Sequence, residues 1–324
     1  MLKKMTLFFC GMLISSFSIF AKENDTTETA KIYYLPSITV STNRAIESKS
    51  PVPFSVITQS EISKSYIYQD LPAVLSTMPS IYSYSQNGNA IGYSTLSLRG
   101  FDQRRVSVLI NGIPQNDPED HDVYWIDFPD LTSNLGLIEV QRGGGLTSYG
   151  PPAIGGTINL STTNFVNQRG LKIYAGGGFQ EFGGKNNQLN QNVSKYSIEA
   201  SSGYVDGYAF YARLSHINSF GYREKSWVKL NSYFLSAARM DENITTQINV
   251  FGGPITDALS YTGIPKEYIR DNEKRLLNYN YWEYDSTGRN VAYFQSRRPQ
   301  EVEEFSQPHY ELLNDIKIND NFQL

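Results

Sequence analysis

The chain has 324 residues, 40% of them hydrophobic and 19% charged, with 28 Lys and Arg against 32 Asp and Glu. A formal charge of −4 offers no basic surface to displace counterions from a phosphate backbone, which argues against nucleic acid as a partner. Past the leading apolar run there are no 18 consecutive apolar residues, which excludes a helical membrane protein, so 23 Tyr, 17 Phe and 25 Gly beside a single Cys call for another architecture.

Lys3 and Lys4 precede an apolar run over 5–20, and Ala21 supplies a small residue where a processing enzyme cuts: a secretory signal peptide over 1–21. Cys10 lies within it, so the exported chain carries no cysteine and has no route to a disulfide, a thiolate metal site or a thiol nucleophile. Residues 22–42 begin polar, with Glu23, Asn24, Asp25, Thr26, Thr27 and Glu28. They turn β-branched at Ser37, Ile38, Thr39, Val40 and Ser41, a tether ending in one extended segment.

Residues 43–163 read as an α+β domain. A strand over 53–57 leads into a helix opened by a capping box, Thr58 with Glu61. Asp70 is placed to cap a second helix whose Leu71, Val74, Leu75 and Met78 share one face, with Pro79 as its stop. Strands are expected over 96–98, 106–110, 137–141 and 157–160, and Asn111-Gly112 reads purely as a hairpin turn. Between the last two strands Gly143, Gly144, Gly145, Gly150, Gly155 and Gly156 alternate with Leu146, Tyr149 and Ile154, which points to close backbone approach and not to a linker.

From Gly170 onward period-two alternation takes over. Strands are expected at 171–178, 195–204, 208–218, 228–239, 244–251 and 310–316, one face apolar and aromatic, the other wettable. Their connections alternate: tight turns at 205–207, 240–243 and 317–321, long polar loops at 179–194, 219–227 and 252–309. Short turns at one end, long loops at the other and aromatic outer faces describe antiparallel transmembrane β-barrel strands.

These features together resemble the TonB-dependent outer-membrane receptors. Leu98-Arg99-Gly100-Phe101 followed by 106–114 is similar to the family's first plug signature, with Asn111 where Asp is commoner. Residues 138–143, Ser148-Tyr149-Gly150 and 153–160 are similar to the second. Ser37, Ile38, Thr39, Val40 and Ser41 look like the TonB box, without the acidic residue that often precedes it.

The resemblance implies a plug domain at 43–163, barrel strands from 164 and TonB with its inner-membrane complex as energising partner. It also implies a location in the outer membrane of a Gram-negative bacterium, monomeric when complete. An extended segment such as 38–41 can add as a strand to a periplasmic sheet edge and transmit a pull. Arg99, Glu139 and Arg142 are expected to fix plug to barrel by ion pairs. Gln115, Asn116, Asp117, His121, Tyr124 and Trp125 are expected to face the ligand, with Tyr124 and Trp125 as flat walls.

No resident cofactor or metal is expected. His121 among four carboxylates is a weak metal candidate, since acidic residues on a wet loop are usually solvated. An iron chelate ranks first as cargo, with cobalamin, haem and oligosaccharide still open. Tyr261, Tyr268, Arg270, Arg275, Tyr279, Tyr281, Trp282 and Tyr284 on the loop 252–309 suit an anionic chelate or plain loop packing equally. An enzyme is not expected: His121, His216 and His309 lie far apart, and neither G-x-S-x-G nor H-E-x-x-H occurs. A non-transporting barrel or adhesin, the other class open to such a sequence, has no use for the 37–41 segment or a plug. Plugged transporters close with about 22 strands. Six strands therefore lead to the expectation of an amino-terminal piece of a longer receptor.

Overall fold

A computed structural model describes residues 53–144, 153–180, 191–284, 291–293, 301–319 and 322–323. The signal peptide, the tether with its 37–41 segment, and Gly145, Leu146, Ser148, Tyr149 and Gly150 lie outside these residues.

The first half is the α+β unit that the patterning predicts. β1 (Phe54–Thr58) runs into α1 (Gln59–Ser65), and the capping box is present: Thr58 N–H and Oγ1 donate to Glu61 Oε2 at 2.8 and 2.7 Å. α2 (Leu71–Leu75) buries Leu71, Val74 and Leu75, with Met78 buried just beyond. Its cap differs from expectation. The Asp70 side chain does not bond the helix; it accepts from Gly92 N–H and Ser94 Oγ, 22 and 24 residues on, because tertiary donors outcompete the local ones.

β2 (Ile81–Ser85), β3 (Ser94–Leu98) and β4 (Phe101–Asp102) form a small sheet, with Arg99 and Gly100 at positive φ in the last turn. β5 (Val106–Ile110), β6 (Ile113–Pro114), β7 (Leu135–Arg142) and β8 (Gly156–Thr162) join β1 in a second sheet ordered β1-β7-β8-β5-β6, in which only β5 and β8 run parallel. Leu98, Val108, Ile138, Val140, Ile158 and Leu160 make its core. Gly156 has to be glycine: a Cβ there would lie 2.2 Å from the Gln141 carbonyl, and φ is +148°.

The second half is an antiparallel meander. β9 (Arg169–Gln180), β10 (Gln191–Ser202), β11 (Tyr208–Phe220), β12 (Trp227–Met240) and β13 (Ile244–Gly252) pair in chain order. β14 (Pro254–Ala258) follows, then the short pair β15 (Trp282–Tyr284) and β16 (Val291–Tyr293), then β17 (Val302–Ser306), β18 (His309–Asn319) and β19 (Phe322–Gln323). β18 pairs with β13 and β19 with β18.

Two connections differ from expectation. The loop at 252–309 is shorter than its glycines and proline imply, because both flanking strands continue through them. Tyr233 faces Gly252 and, three residues on, Leu230 faces Ile255; Phe251 faces His309, and Pro254 faces Ser306. β13 with β14, and β18 with β17, are thus single strands interrupted without a slip of register. Gly253 makes this possible, since a Cβ there would sit 1.8 Å from the Asn231 carbonyl. At the other end, β18 runs on to Asn319 and Lys317 pairs with Gln323, so the turn is tighter than 317–321.

Along β11 burial alternates at every residue. Tyr208, Phe210 and Leu214 point outward; Tyr211, Arg213 and Ser215 point to the plug. The outward face of the sheet is mainly apolar, with Ile173 at 74% and Leu312 at 64% exposure, while Ser232, Ser236, Gln247, Asn249 and Glu311 are buried on the inner face. Apolar outside and polar inside inverts the pattern of a water-soluble sheet and is the pattern of barrel strands facing lipid.

Candidate functional site

The plug is held against the inner face of the strands largely by polar contacts. Asp130, at φ 53°, carries the densest of them. Its Oδ1 accepts from Lys195 Nζ at 2.8 Å and from Tyr66 Oη and Ser133 Oγ at 2.6 Å; its Oδ2 accepts from Arg213 Nη1 at 2.6 Å. Burial alone would raise the Asp130 pKa, but Arg213 and Lys195 more than offset that and hold it well below the usual carboxylate range.

Sequence reasoning missed this lock. Its legible part was a charged residue, Arg213, at an inward position of an alternating strand.

Asn111 makes a second tie, so it is more than the turn it was read as. It does occupy the hairpin, at φ 51°. Its Nδ2 also donates to Glu311 Oε2 at 2.8 Å, while its Oδ1 accepts from Thr162 N–H at 3.0 Å. Asn249 Nδ2 donates to the same Glu311 oxygen. Asn89 Nδ2 reaches Ser219 Oγ at 2.9 Å, and Tyr93 Oη donates to Glu303 Oε2 at 2.5 Å. An apolar cluster also joins plug to strands: Ile91 and Ile126 pack with Val193, Ile217, Val228, Leu230 and Ile255.

Arg142 and Glu139, two of the three residues expected to fix plug to barrel, make contacts within the plug. Arg142 Nη1 donates to Ser55 Oγ at 2.7 Å and Nη2 to the Phe54 carbonyl, and Glu139 accepts from Gln141. These contacts tie plug strands to one another. The ion pairs that join plug to strands among the described residues run from Asp130.

A cavity of 760 Å³ lies between the plug loop and the strand β17–β18. Gln115, Asn116, Asp117 and Tyr124 line it; His121 and Trp125 do not. Trp125 is buried in the plug, its Nε1 donating to Gln103 Oε1 at 3.1 Å, so it cannot be a wall of this cavity. An aromatic next to Tyr124 was read as its partner, but the short 3-10 turn Trp125–Asp127 directs it inward.

The acidic loop is organised by its own carboxylates. Asp117 Oδ1 accepts from Glu119 and Asp120 N–H, Asp120 from Asp122 N–H and Tyr124 Oη, and Asp122 from Arg104 Nε and Gln103 Nε2. Asn116 braces the loop on the Val106 and His121 carbonyls. No three His, Asp or Glu side chains converge as a metal site among the described residues.

Pro118 and Asp122 of the same loop also line it, with Ile113, Pro114 and Gln307, and the further lining was not foreseen. It comes from Tyr93, Asp127 and Phe128 of the plug and from Glu303, Phe305, His309, Tyr310 and Glu311 of the strands. The His309 ring lies between Phe251 and Phe128, at centroid distances of 4.8 and 5.1 Å. Burial, then Glu303, pushes the Asp127 carboxyl up to about 7.

Of the basic and aromatic residues expected to close over the ligand from the 252–309 loop, Tyr261, Tyr268, Arg270, Arg275 and Tyr279 do not line the cavity. Among them, Tyr268 lies under Lys274 Nζ at 4.6 Å and beside Tyr279 at 6.1 Å. The side chains of Tyr281, Trp282 and Tyr284 lie outside the described residues.

Residues 47–157 match the family model described as TonB-dependent Receptor Plug Domain. Over 238 residues the chain is 27% identical to the vitamin B12 transporter BtuB of Vibrio cholerae, covering 67% of this chain and 37% of that protein. Among solved structures, the unliganded ferric citrate transporter FecA aligns over 83% of this chain and 38% of its own, at 18% identity and a TM-score of 0.63. The open form of the ferric-catecholate import receptor Fiu of E. coli K12 aligns over 84% and 37%, at 16% identity and 0.56. The chain thus spans under two fifths of the length of the relatives it matches.

Proposed function

With a TonB-dependent receptor plug domain at residues 47–157 and antiparallel barrel-type strands after it as the premise, we propose that the protein is an outer-membrane receptor. It captures a scarce chelate outside and imports it to the periplasm, an iron chelate ranking first as cargo and cobalamin second. Haem and oligosaccharide rank behind these. The observation that carries this reading is the plug seated by polar groups against the inner face of a sheet whose outer face is mainly apolar.

The chemistry is mechanical. The outer membrane has no nucleotide supply, so energy has to arrive from the inner membrane as a pull on the chain. An extended segment at 37–41, added to a sheet edge of TonB, holds by main-chain hydrogen bonds until it is drawn. Hydrogen bonds and ion pairs lining a polar interface can be exchanged for water one at a time, which apolar interdigitation does not allow. The plug can then shift without the barrel strands separating. No step of this needs a catalytic group.

Growth of a deletion strain on a panel of ferric chelates, cobalamin and haem tests the reading. It expects a defect on at least one metal chelate, restored by the gene. Normal growth on all of them contradicts it.

A further inference from the structure

The described lining of the cavity between plug and strands is acidic. Asp117, Asp122, Asp127, Glu303 and Glu311 line it, and among the described residues neither Lys nor Arg does. Arg104 answers Asp122 at 3.2 Å from outside the lining. Glu311 is 94% buried by exposure, at 6%; Asn111 and Asn249 occupy its Oε2, and its Oε1 has no hydrogen-bond partner among the described residues. Behind Glu303, directly across the β14–β17 pair, stands Asp257, fully buried with both carboxylate oxygens likewise without a partner.

Resting on the receptor reading above, we propose that this cavity takes a neutral or cationic ligand presenting N–H donors, and rejects anionic ferric chelates. Glu303 and Glu311 accept from those donors, with Tyr93 and Tyr124 flanking them. An incoming ammonium offsets the carboxylates' charge and an amide N–H donates to them, whereas a tris-catecholate or citrate complex would bring negative charge against carboxylates of the described lining. Arg270 and Arg275, described residues of the 252–309 loop suited to an anion, do not line the cavity.

The test uses the full-length protein in detergent and four probes: ferrioxamine B, a cationic hydroxamate chelate; cyanocobalamin, neutral and amide-bearing; ferric citrate; and a ferric tris-catecholate. Equilibrium binding is measured for the wild type, Glu303→Gln and Glu311→Gln, which keep shape and an acceptor oxygen. Ferrioxamine B or cyanocobalamin is expected to bind more tightly than either anion. The substitutions should weaken ferrioxamine B about tenfold or more, since each removes one charge from a desolvated contact. Tighter binding of an anionic chelate, strengthened by Glu303→Gln, overturns the inference and leaves the receptor reading standing. Binding of none of the four overturns it as well, and the growth panel then decides whether the receptor reading falls with it.

Discussion

Asp130 of the plug and Arg213 of β11 are 83 residues apart in sequence, and their side chains meet at 2.6 Å with 0% and 6% exposure. With Lys195 on the other oxygen, one carboxylate neutralises much of two buried cations. Removing one partner of a buried pair costs about 3–5 kcal/mol, mostly because the remaining charge stays behind unpaired. Asp130→Asn is therefore expected to loosen the plug from the strands by that order, read as a lower urea midpoint for plug protection from protease.

The same group sets an acid limit. Its folded pKa lies below the ~3.9 of an unfolded aspartate, burial being outweighed by Arg213 and Lys195. Its contribution is thus fully present above that value and is lost as pH falls through the folded one. Plug protection that Asp130 provides should persist down to about pH 4 and fall below it. In Asp130→Asn this acid step should be absent.

Asn111 combines a positive-φ turn with ties to Glu311 and Thr162. Two substitutions separate these roles. Asn111→Gly keeps the turn and loses the ties, at about 1–3 kcal/mol for stranding a buried acceptor. Asn111→Ala loses both and is expected to be worse, by about 1 kcal/mol for left-handed backbone. Equal midpoints for the two in thermal melts would show that the turn contributes nothing.

Gly253 carries the strand interruption in β13–β14. Alanine there would place Cβ 1.8 Å from the Asn231 carbonyl, so the backbone of β12 or β14 must move. Gly253→Ala is expected to detach β14 from β12 while leaving β13 paired. Amide exchange should then quicken at Ile255 and Asp257 and stay slow at Ile248 and Val250.

Asp127 works with the opposite sign to Asp130. Burial and Glu303 raise it to about 7, so the folded state takes up a proton between the unfolded value and 7, and stability declines as pH rises through that window. The groups facing it are Glu303, Asp257 and Tyr93. Asp127→Asn is expected to raise the thermal midpoint at pH 8 and leave it unchanged at pH 4.

The strands were legible because lipid on one side and a polar plug on the other enforce strict alternation, and β11 and β13 begin at the residues expected. The capping box at Thr58 and Glu61 was legible because both halves lie within one turn of chain. What escaped was long-range. Lys195 and Arg213 look like any inward polar residues until Asp130 is brought between them, and Asn111 finds Glu311 across 200 residues. Gly252-Gly253 and Gln307-Pro308 carry the local chemistry of loop punctuation, yet β12 keeps the first pair, and β13 with β14 the second, in register. Trp125 was assigned to a wall by adjacency to Tyr124, while the Gln103 acceptor inside the plug claimed its indole.

The central claim is that a pull on the 37–41 segment drives import. The direct measurement compares wild type with Ile38→Pro and Val40→Pro in whole cells, following both ligand bound at the surface and ligand accumulated in the periplasm, alongside crosslinking of a cysteine at position 40 to TonB. Proline removes a main-chain donor from an added strand, so surface binding should be unchanged while accumulation and the crosslink are lost. Unchanged accumulation in both proline variants would contradict the account.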